Sequence, residues 1–398
     1  MAPPDIKKLL RIKIKPRKDP YTDQFSRIFM VKMMMLTATI TGLSWAKDKF
    51  TCIVPKNHET TAAFVQKACW INGVYIYKNL NPVFNSFYYG IPKDISHNGE
   101  NNYGALCNSD KDQNCDPLEK TFYLQYQWFP LGVAALAFLY YLPYLLYCVV
   151  NADLILLKNS IKKKKREEVD YQELIDKLFT PSNSPHGAAR TLLNLLVKIL
   201  YIIVNVLGIV TIDSAINGEY VSFGTSWTKW LRLTPDQRHD YTVPRNPKAG
   251  HSLLPAFGLC EVVTAANDLK NTIYNKHTFV CELSQHVLYQ YILIILWYII
   301  VAGIIISIIG FLMHIFSDFT AAFCIGFQGR DISTLYRALN TRERQLLDFV
   351  RKKNMPVFGE LLDKLYIAKN IKPDPLSEDP DQRAAMSRKE QMMADQDY

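Results

Sequence analysis

The sequence predicts an all-α membrane protein: a four-transmembrane-helix bundle with disulfide-stapled extracellular loops and a cytoplasmic helical domain. Three observations carry that class. The apolar residues, 49% of 398, are gathered into four blocks long enough to cross a bilayer. Lysine and arginine are denser in alternate segments between those blocks. Six of the eight cysteines fall in the two long loops of lower basic density.

The four blocks are Ile28–Ala46, Phe129–Val150, Leu192–Ile212 and Tyr289–Phe316. The first is weakly apolar. Its Thr37, Thr41 and Ser44 share one helical face, and such a stripe means either close packing against another helix or contact with water. The residues alone leave both open. Lys32 lies near one end, where it can snorkel. The second block runs 22 residues without a charge and is entered through Tyr123, Gln125, Tyr126, Gln127 and Trp128, side chains suited to headgroup level. Pro143 lies inside it. A membrane bundle tolerates such a kink because neighbours satisfy the freed carbonyl. Lys198 sits near an end of the third block, and the fourth, at 28 residues, is long enough to tilt.

Orientation follows from charge. Of the 46 Lys and Arg, 29 lie in Met1–Arg27, Asn151–Arg190 and Phe319–Tyr398, and 15 in Lys47–Phe122 and Asp213–Leu288, which together are about as long. The denser set belongs in the cytoplasm. No separate apolar stretch precedes the first block, so that span is expected to serve as its own insertion signal. The net charge of +9 is then a topology signal and not a nucleic-acid footprint. The expected order is a cytoplasmic N-terminal segment (1–27), a first helix (28–46), an extracellular loop (47–122) and a second helix (123–150). A cytoplasmic loop (151–190), a third helix (191–212), a second extracellular loop (213–288), a fourth helix (289–318) and a cytoplasmic helical domain and tail (319–398) complete it.

Within Met1–Arg27, bases alternate with Ile6, Leu9, Leu10, Ile12 and Ile14, which fits a short helix against lipid or in a pore, or a basic tail. Thr60–Trp70 reads as a short helix with Glu59 near its positive end. Tyr75–Lys120, rich in Asn, Asp, Gly and Pro, reads as a long surface loop, and the second loop is Pro-rich before Cys260. The run Lys162–Arg166 faces water or anionic lipid, and Val169, Leu174, Ile175 and Leu178 are helix-spaced, with a stop at Pro181. Asn340 and Glu343 have capping-box spacing, and the apolar residues from Leu346 to Leu365 imply two packed helices broken around Pro356. The last ~25 residues are polar and read as disordered.

Enzymatic chemistry finds no support: there is no phosphate-binding glycine loop, no HExxH and no pair of histidines at ligand spacing on one helix. No cofactor or metal is expected. Cys107 and Cys115 enclose seven residues, which suits a local staple, and zinc would need ligands beyond the nearest histidine, His97. No block carries a mid-membrane acidic group of the kind a proton-coupled transporter needs. Six loop cysteines allow 15 pairings, and nothing local chooses among them.

Tyr126-Gln127-Trp128 ahead of the second span, with Tyr141-Leu142-Pro143 inside it, resembles the hallmark of the innexins, gap-junction proteins of the innexin/pannexin superfamily. Asp23 and Arg27 before the first span resemble their D-x-x-x-R approach, and Cys260-Glu261-Val262 resembles their C-D-F. The likeness runs over roughly residues 19–320, although the first loop holds four cysteines where the family usually has two. The resemblance implies a subunit of a large-pore ring channel with about eight copies, passing ions and small solutes, at the plasma membrane or docked in a cell–cell junction. It also implies bridges Cys52–Cys281 and Cys69–Cys260, leaving Cys107–Cys115 as a local pair. It makes Thr37, Thr41 and Ser44 pore-facing candidates, together with His58, Glu59 and Thr60 at the outer mouth. The competing class is a four-span adhesion or scaffold protein without conductance.

Overall fold

The computed structural model describes residues 19–47, 50–56, 60–80, 85–161, 169–179, 184–239, 248–267, 272–323, 335–336 and 338–369. Four helices are long and apolar enough to cross a membrane: Tyr21–Trp45, Phe129–Val150, Ala189–Ala215 and Ser284–Phe316. The second coincides with the uncharged block Phe129–Val150 but does not begin at residue 123 as expected, because Tyr123 ends a strand and Gln125–Gln127 forms a 3-10 turn. The first starts at Tyr21 rather than Ile28, because the polar Tyr21-Thr22-Asp23-Gln24 is helical without being apolar. That span is also not a uniform helix. It comprises α1 (Tyr21–Gln24), a π-helical turn (Phe25–Met30) and α2 (Val31–Lys47).

By packing, the chain divides into two compact units, and all four spans contribute to both. Among the described residues the first holds Phe25–Tyr141 and Ile202–Ile305. Its spans are α2, the start of α4 (Phe129–Val150), and parts of α7 (Ser184–Ala215) and α10 (Ser284–Phe323).

In this unit the expectation of an all-α chain fails. The two long loops fold together into a five-stranded antiparallel sheet in the order β1-β10-β9-β2-β8. The strands are β1 (Thr51–Cys52), β2 (Val74–Tyr77), β8 (Lys120–Tyr123), β9 (Phe257–Asn267) and β10 (Thr272–Glu282). β9 and β10 form a hairpin in register from Phe257↔Glu282 to Asn267↔Thr272. β2 joins it through Tyr75↔Leu259, so a first-loop strand is hydrogen-bonded to a second-loop strand. Strand formation follows composition, since Val, Ile, Tyr, Phe and Thr fill β2, β8 and β10.

Tyr75–Lys120 is accordingly not an irregular loop. It contains the hairpin β3 (Ser86–Tyr88) with β4 (Ile91–Pro92), and a small sheet of β5 (Gly99–Glu100), β6 (Leu106–Cys107) and β7 (Asp116–Pro117). The Asn and Gly residues that mimic a loop make its turns. The Asn101 carboxamide oxygen accepts from the backbone N–H groups of Tyr103 and Ala105 at 2.9 Å each, and Gly104 has φ of 75°. Tyr75, Tyr77, Leu80, Ile91 and Leu259 form the core beneath. The short helix falls at α3 (Ala62–Asn72), and the second loop also holds α8 (Tyr220–Leu231) and α9 (Pro235–His239). α8 buries Phe223 and Trp227, and Trp297 of α10 lies over Gly224, its indole N–H donating to the Val221 carbonyl at 3.1 Å.

The second unit holds Asp19–Gln24, Leu142–Tyr201 and the described residues from Ile306 onward. After α4, Asn151 leads directly into α5 (Ala152–Ile161). α6 (Tyr171–Leu178) opens on Asp170, whose carboxylate accepts from the Glu173 N–H at 3.1 Å, an N-cap that satisfies one orphan donor. At the start of α11 (Thr341–Lys353) the Glu343 carboxylate accepts from the Asn340 N–H at 2.8 Å. Asn354 ends α11 and caps α12 (Met355–Ala368) by accepting from the Val357 N–H at 3.4 Å. The break therefore falls at Asn354. Pro356 lies in the first turn of α12, where its missing N–H would have had no intrahelical partner. Leu157, Leu174, Phe179, Leu347, Val350 and Leu361 share the core of this unit. The Lys162–Arg166 run, Met1–Lys18, His58, Glu59, Pro181 and the polar tail from Asn370 lie outside the described residues.

Candidate functional site

Three disulfides frame the loop sheet: Cys52–Cys281, Cys69–Cys260 and Cys107–Cys115, with S–S distances of 2.05, 2.03 and 2.03 Å. The first joins the paired residues of β1 and β10, and the second ties α3 to β9. Each fastens the first loop to the second across about two hundred residues of chain, with separations of 229 and 191. The third staples the small sheet. Gly99 is required beside it, because a Cβ there would lie 2.5 Å from the Cys115 sulfur. The sulfurs of Cys52, Cys69 and Cys281 lie within 4.8 Å of one another, but each is already in a disulfide, so no thiolate is left to hold a metal.

Glu261, one residue beyond Cys260, is the polar counterpart of these bridges. Its carboxylate accepts from Tyr75 Oη of β2, Lys120 Nζ of β8 and Lys276 Nζ of β10, each at 2.8 Å. Burial pushes its pKa up, but the three donors outweigh burial and hold it at about 2. Lys120 also lies over the Tyr75 ring at 4.5 Å. Burial, aided by Tyr77 and Glu261, raises the Tyr75 phenol well above its usual range, so Tyr75 stays a donor. Four strands from both loops thus converge on one charge.

Tyr126 and Gln127 finish α3. A helix leaves its last carbonyls without partners. Tyr126 Oη donates to the Trp70 carbonyl at 2.6 Å, and Gln127 Nε2 to the same carbonyl at 2.8 Å and to that of Ile71 at 3.2 Å. Gly73, at φ 81°, adds its N–H to the Cys69 carbonyl at 3.0 Å. Tyr126 is buried, with Phe50, Trp70 and His286 around its ring. Trp128 is 42% exposed and lies against Gly132. The motif before the second span therefore positions the helix that follows the first span.

Pro143 lies within the continuous helix α4. The polar stripe of the first span does not open to solvent. Thr37, Thr41 and Ser44 are 6%, 0% and 8% exposed, and the Thr41 carbonyl accepts from Tyr289 Oη at 3.4 Å. Side chains enclosed by their own subunit do not reach a lumen in this conformation, which corrects the pore-facing expectation for all three. The exposed arc of α2 carries Met35, Thr39, Ile40 and Leu43. Thr60 is half-buried just ahead of the α3 N-cap, Thr61.

Two buried ionic contacts of the second unit escape sequence reading. Lys198 pairs with Asp23, and both side chains are 4% exposed. Arg342 donates from Nε and Nη2 to the two Asp153 oxygens at 3.0 and 2.7 Å, and from Nη2 to Asn151 Oδ1 at 2.9 Å. Asn151 in turn donates to Asn194 Oδ1 at 3.1 Å, and Arg190 lies 3.3 Å from Asp153. Burial pushes the Asp153 carboxyl up, but Arg342 and the Leu154 N–H hold it below its usual value. The only signal in the sequence was a lone charge beside apolar runs, which names no partner.

Four helices long and apolar enough to span a bilayer, with two loops joined in one sheet by disulfides, fit a multi-pass membrane protein. The sequence model of the innexin family matches residues 19–368. The chain belongs to the innexin family, whose members form oligomeric gap-junction channels. No curated protein matches it.

Proposed function

We propose that the chain is one subunit of a closed ring of about eight copies, whose axis is a wide pore for ions and small solutes. Both termini lie in the cytoplasm of a plasma-membrane protein, and the disulfide-bonded sheet lies outside. The ring works alone as a hemichannel or docks with a ring in an adjacent cell. The sequence has no Asn-x-Ser/Thr site at which a glycan would obstruct docking.

The observation that carries this reading, beyond family membership, is the first span. It is the least apolar of the four and turns Thr39 outward between Met35 and Leu43. Met35, Ile40 and Leu43 of that arc are apolar and the Thr39 hydroxyl donates to the Met35 carbonyl at 2.8 Å, so the arc itself is compatible with lipid. It is the low mean hydropathy of the whole span, 1.4 against 2.0 to 3.1, that supports a place beside water. The arc of Met35, Thr39 and Leu43 lines the pore, and Thr60, with His58 and Glu59, borders its outer mouth.

The test is dye uptake and current recording in single cells expressing the chain, then in pairs of such cells. Current in single cells identifies the hemichannel, and dye passage between paired cells identifies the junction. Absence of both makes the chain a four-span adhesion or scaffold protein.

A further inference from the structure

The π-helical turn Phe25–Met30 sits at the base of a span with a doubled pattern. In α2, each residue of the buried polar stripe follows an apolar one: Leu36-Thr37, Ile40-Thr41 and Leu43-Ser44. Leu36, Ile40 and Leu43 have the same i, i+4, i+7 spacing as Thr37, Thr41 and Ser44. The helix thus carries two seams, one polar and one apolar, offset by a single residue. A π-helical turn holds one residue more than the α-helical turn it replaces. If it relaxes to α-helix, everything beyond it rotates by about 100°, one residue of an α-helix. Every side chain of α2 then takes the place its C-terminal neighbour holds now.

We infer that Phe25–Met30 is a one-residue register store that switches the first span between its two seams. This deepens the channel reading and rests on it for its consequence at the pore. In the register observed, Thr37, Thr41 and Ser44 are buried and Ile40 and Leu43 are exposed. In the relaxed register Leu36, Ile40 and Leu43 enter the buried places, and Met34, now 0% exposed, takes the place of Met35, which is 43% exposed. Apolar side chains fill the interior in the second register, so the exchange leaves no polar group stranded there.

The contacts of the turn suit a holding role. Asn205 Nδ2 reaches Ser26 Oγ at 3.5 Å, and Gly303 of α10 leaves room for Asn205 and Met30, with a Cβ there only 2.5 Å from Asn205 Oδ1 and 3.6 Å from Met30 Sδ. The Asn205–Ser26 hydrogen bond, close packing at Gly303 and the stacked rings of Phe25 and Phe29, 4.8 Å apart, are among the contacts that hold the turn in place.

Deleting Ile28 removes the stored residue while both flanking helices keep their present faces. Met34→Cys and Leu43→Cys are introduced singly into the full chain and into the deletion variant. Cells are treated with a polar, membrane-impermeant maleimide and labelling is read by mass spectrometry. The full chain is expected to label at both positions. The deletion variant is expected to label at Leu43→Cys, with Met34→Cys at least tenfold slower. Deleting Phe29 serves as a second variant should the first fail to reach the surface, because loss of any one residue of the turn has the same effect. Met34→Cys unlabelled in the full chain, or labelled equally in both backgrounds, overturns the switch. Current recorded from the same cells separates the two proposals. Current with Met34→Cys silent removes the register store and keeps the channel, whereas both labels without current keep the store and remove the channel.

Discussion

Single side chains set two contrasting electrostatic demands. Glu261 is held at about 2, below the ordinary 4.5, so its contribution to stability is complete above about pH 4.5 and is lost as pH falls toward 2. Its side chain is 26% exposed and Lys276 is 51% exposed, so screening reduces the gain to about 1–2 kcal/mol. Glu261→Gln is expected to lower the unfolding temperature of detergent-solubilised protein at pH 7 and to flatten its fall between pH 4.5 and 2. An unchanged acid limb removes Glu261 from the account. Lys198 and Asp23 pose the opposite case, a pair with almost no exposure. Lys198→Met leaves a carboxylate buried without its cation, a loss of about 3–5 kcal/mol. The double variant Asp23→Leu/Lys198→Met removes both charges and is expected to regain most of the surface expression that the single variant loses. If the double variant is no better than the single, the cost comes from packing instead.

At the level of elements, the motif before the second span acts as a cap on α3. Each hydrogen bond to a terminal carbonyl contributes about 1 kcal/mol, and a carbonyl left unpaired in a buried place costs more. Tyr126→Phe and Gln127→Leu are each expected to speed amide exchange in the last turn of α3, from Cys69 to Gly73, while leaving the β9–β10 ladder protected. Equal loss of protection in both would mean general unfolding. Spans are legible in a sequence because twenty apolar residues are a local signal: the uncharged block Phe129–Val150 coincides with α4. The residues from Tyr123 to Trp128, expected to open that helix, end β8 and form a 3-10 turn instead. The capping box at Asn340 and the amphipathic spacing of α6 are local too. The sheet is not: β1 has two residues, β2 and β8 have four, and their partners lie on other segments, up to 229 residues away for Cys52 and Cys281. Family likeness named pairings that spacing alone left open. It also assigned Thr37, Thr41 and Ser44 to a lumen, and burial within the subunit reverses this. A polar stripe reads alike whether it meets water or a neighbouring helix, and only the packing of Tyr289 over Thr41 tells them apart.

In the whole assembly, the face of the first span decides between lumen and lipid, and a charge at Thr39 separates the two. A lysine facing hydrocarbon at the middle of a span costs roughly 2.5–3.5 kcal/mol in insertion and is rarely accepted. Facing an aqueous pore, the same lysine stays hydrated, and ring symmetry repeats it in every subunit. About eight added positive charges on one circumference raise the local anion concentration and repel cations. Thr39→Lys is therefore expected to reach the surface at the level of the parent chain and to shift the reversal potential under a salt gradient toward anions. The shift should shrink at high ionic strength, because the Debye length falls from about 10 Å at 0.1 M to about 3 Å at 1 M. Thr37→Lys serves as the contrast: in the register observed it buries the charge within the subunit, and surface expression is expected to fall. Normal expression of Thr39→Lys with an unmoved reversal potential takes the exposed arc out of the pore, and loss of expression assigns it to lipid or to a neighbouring subunit.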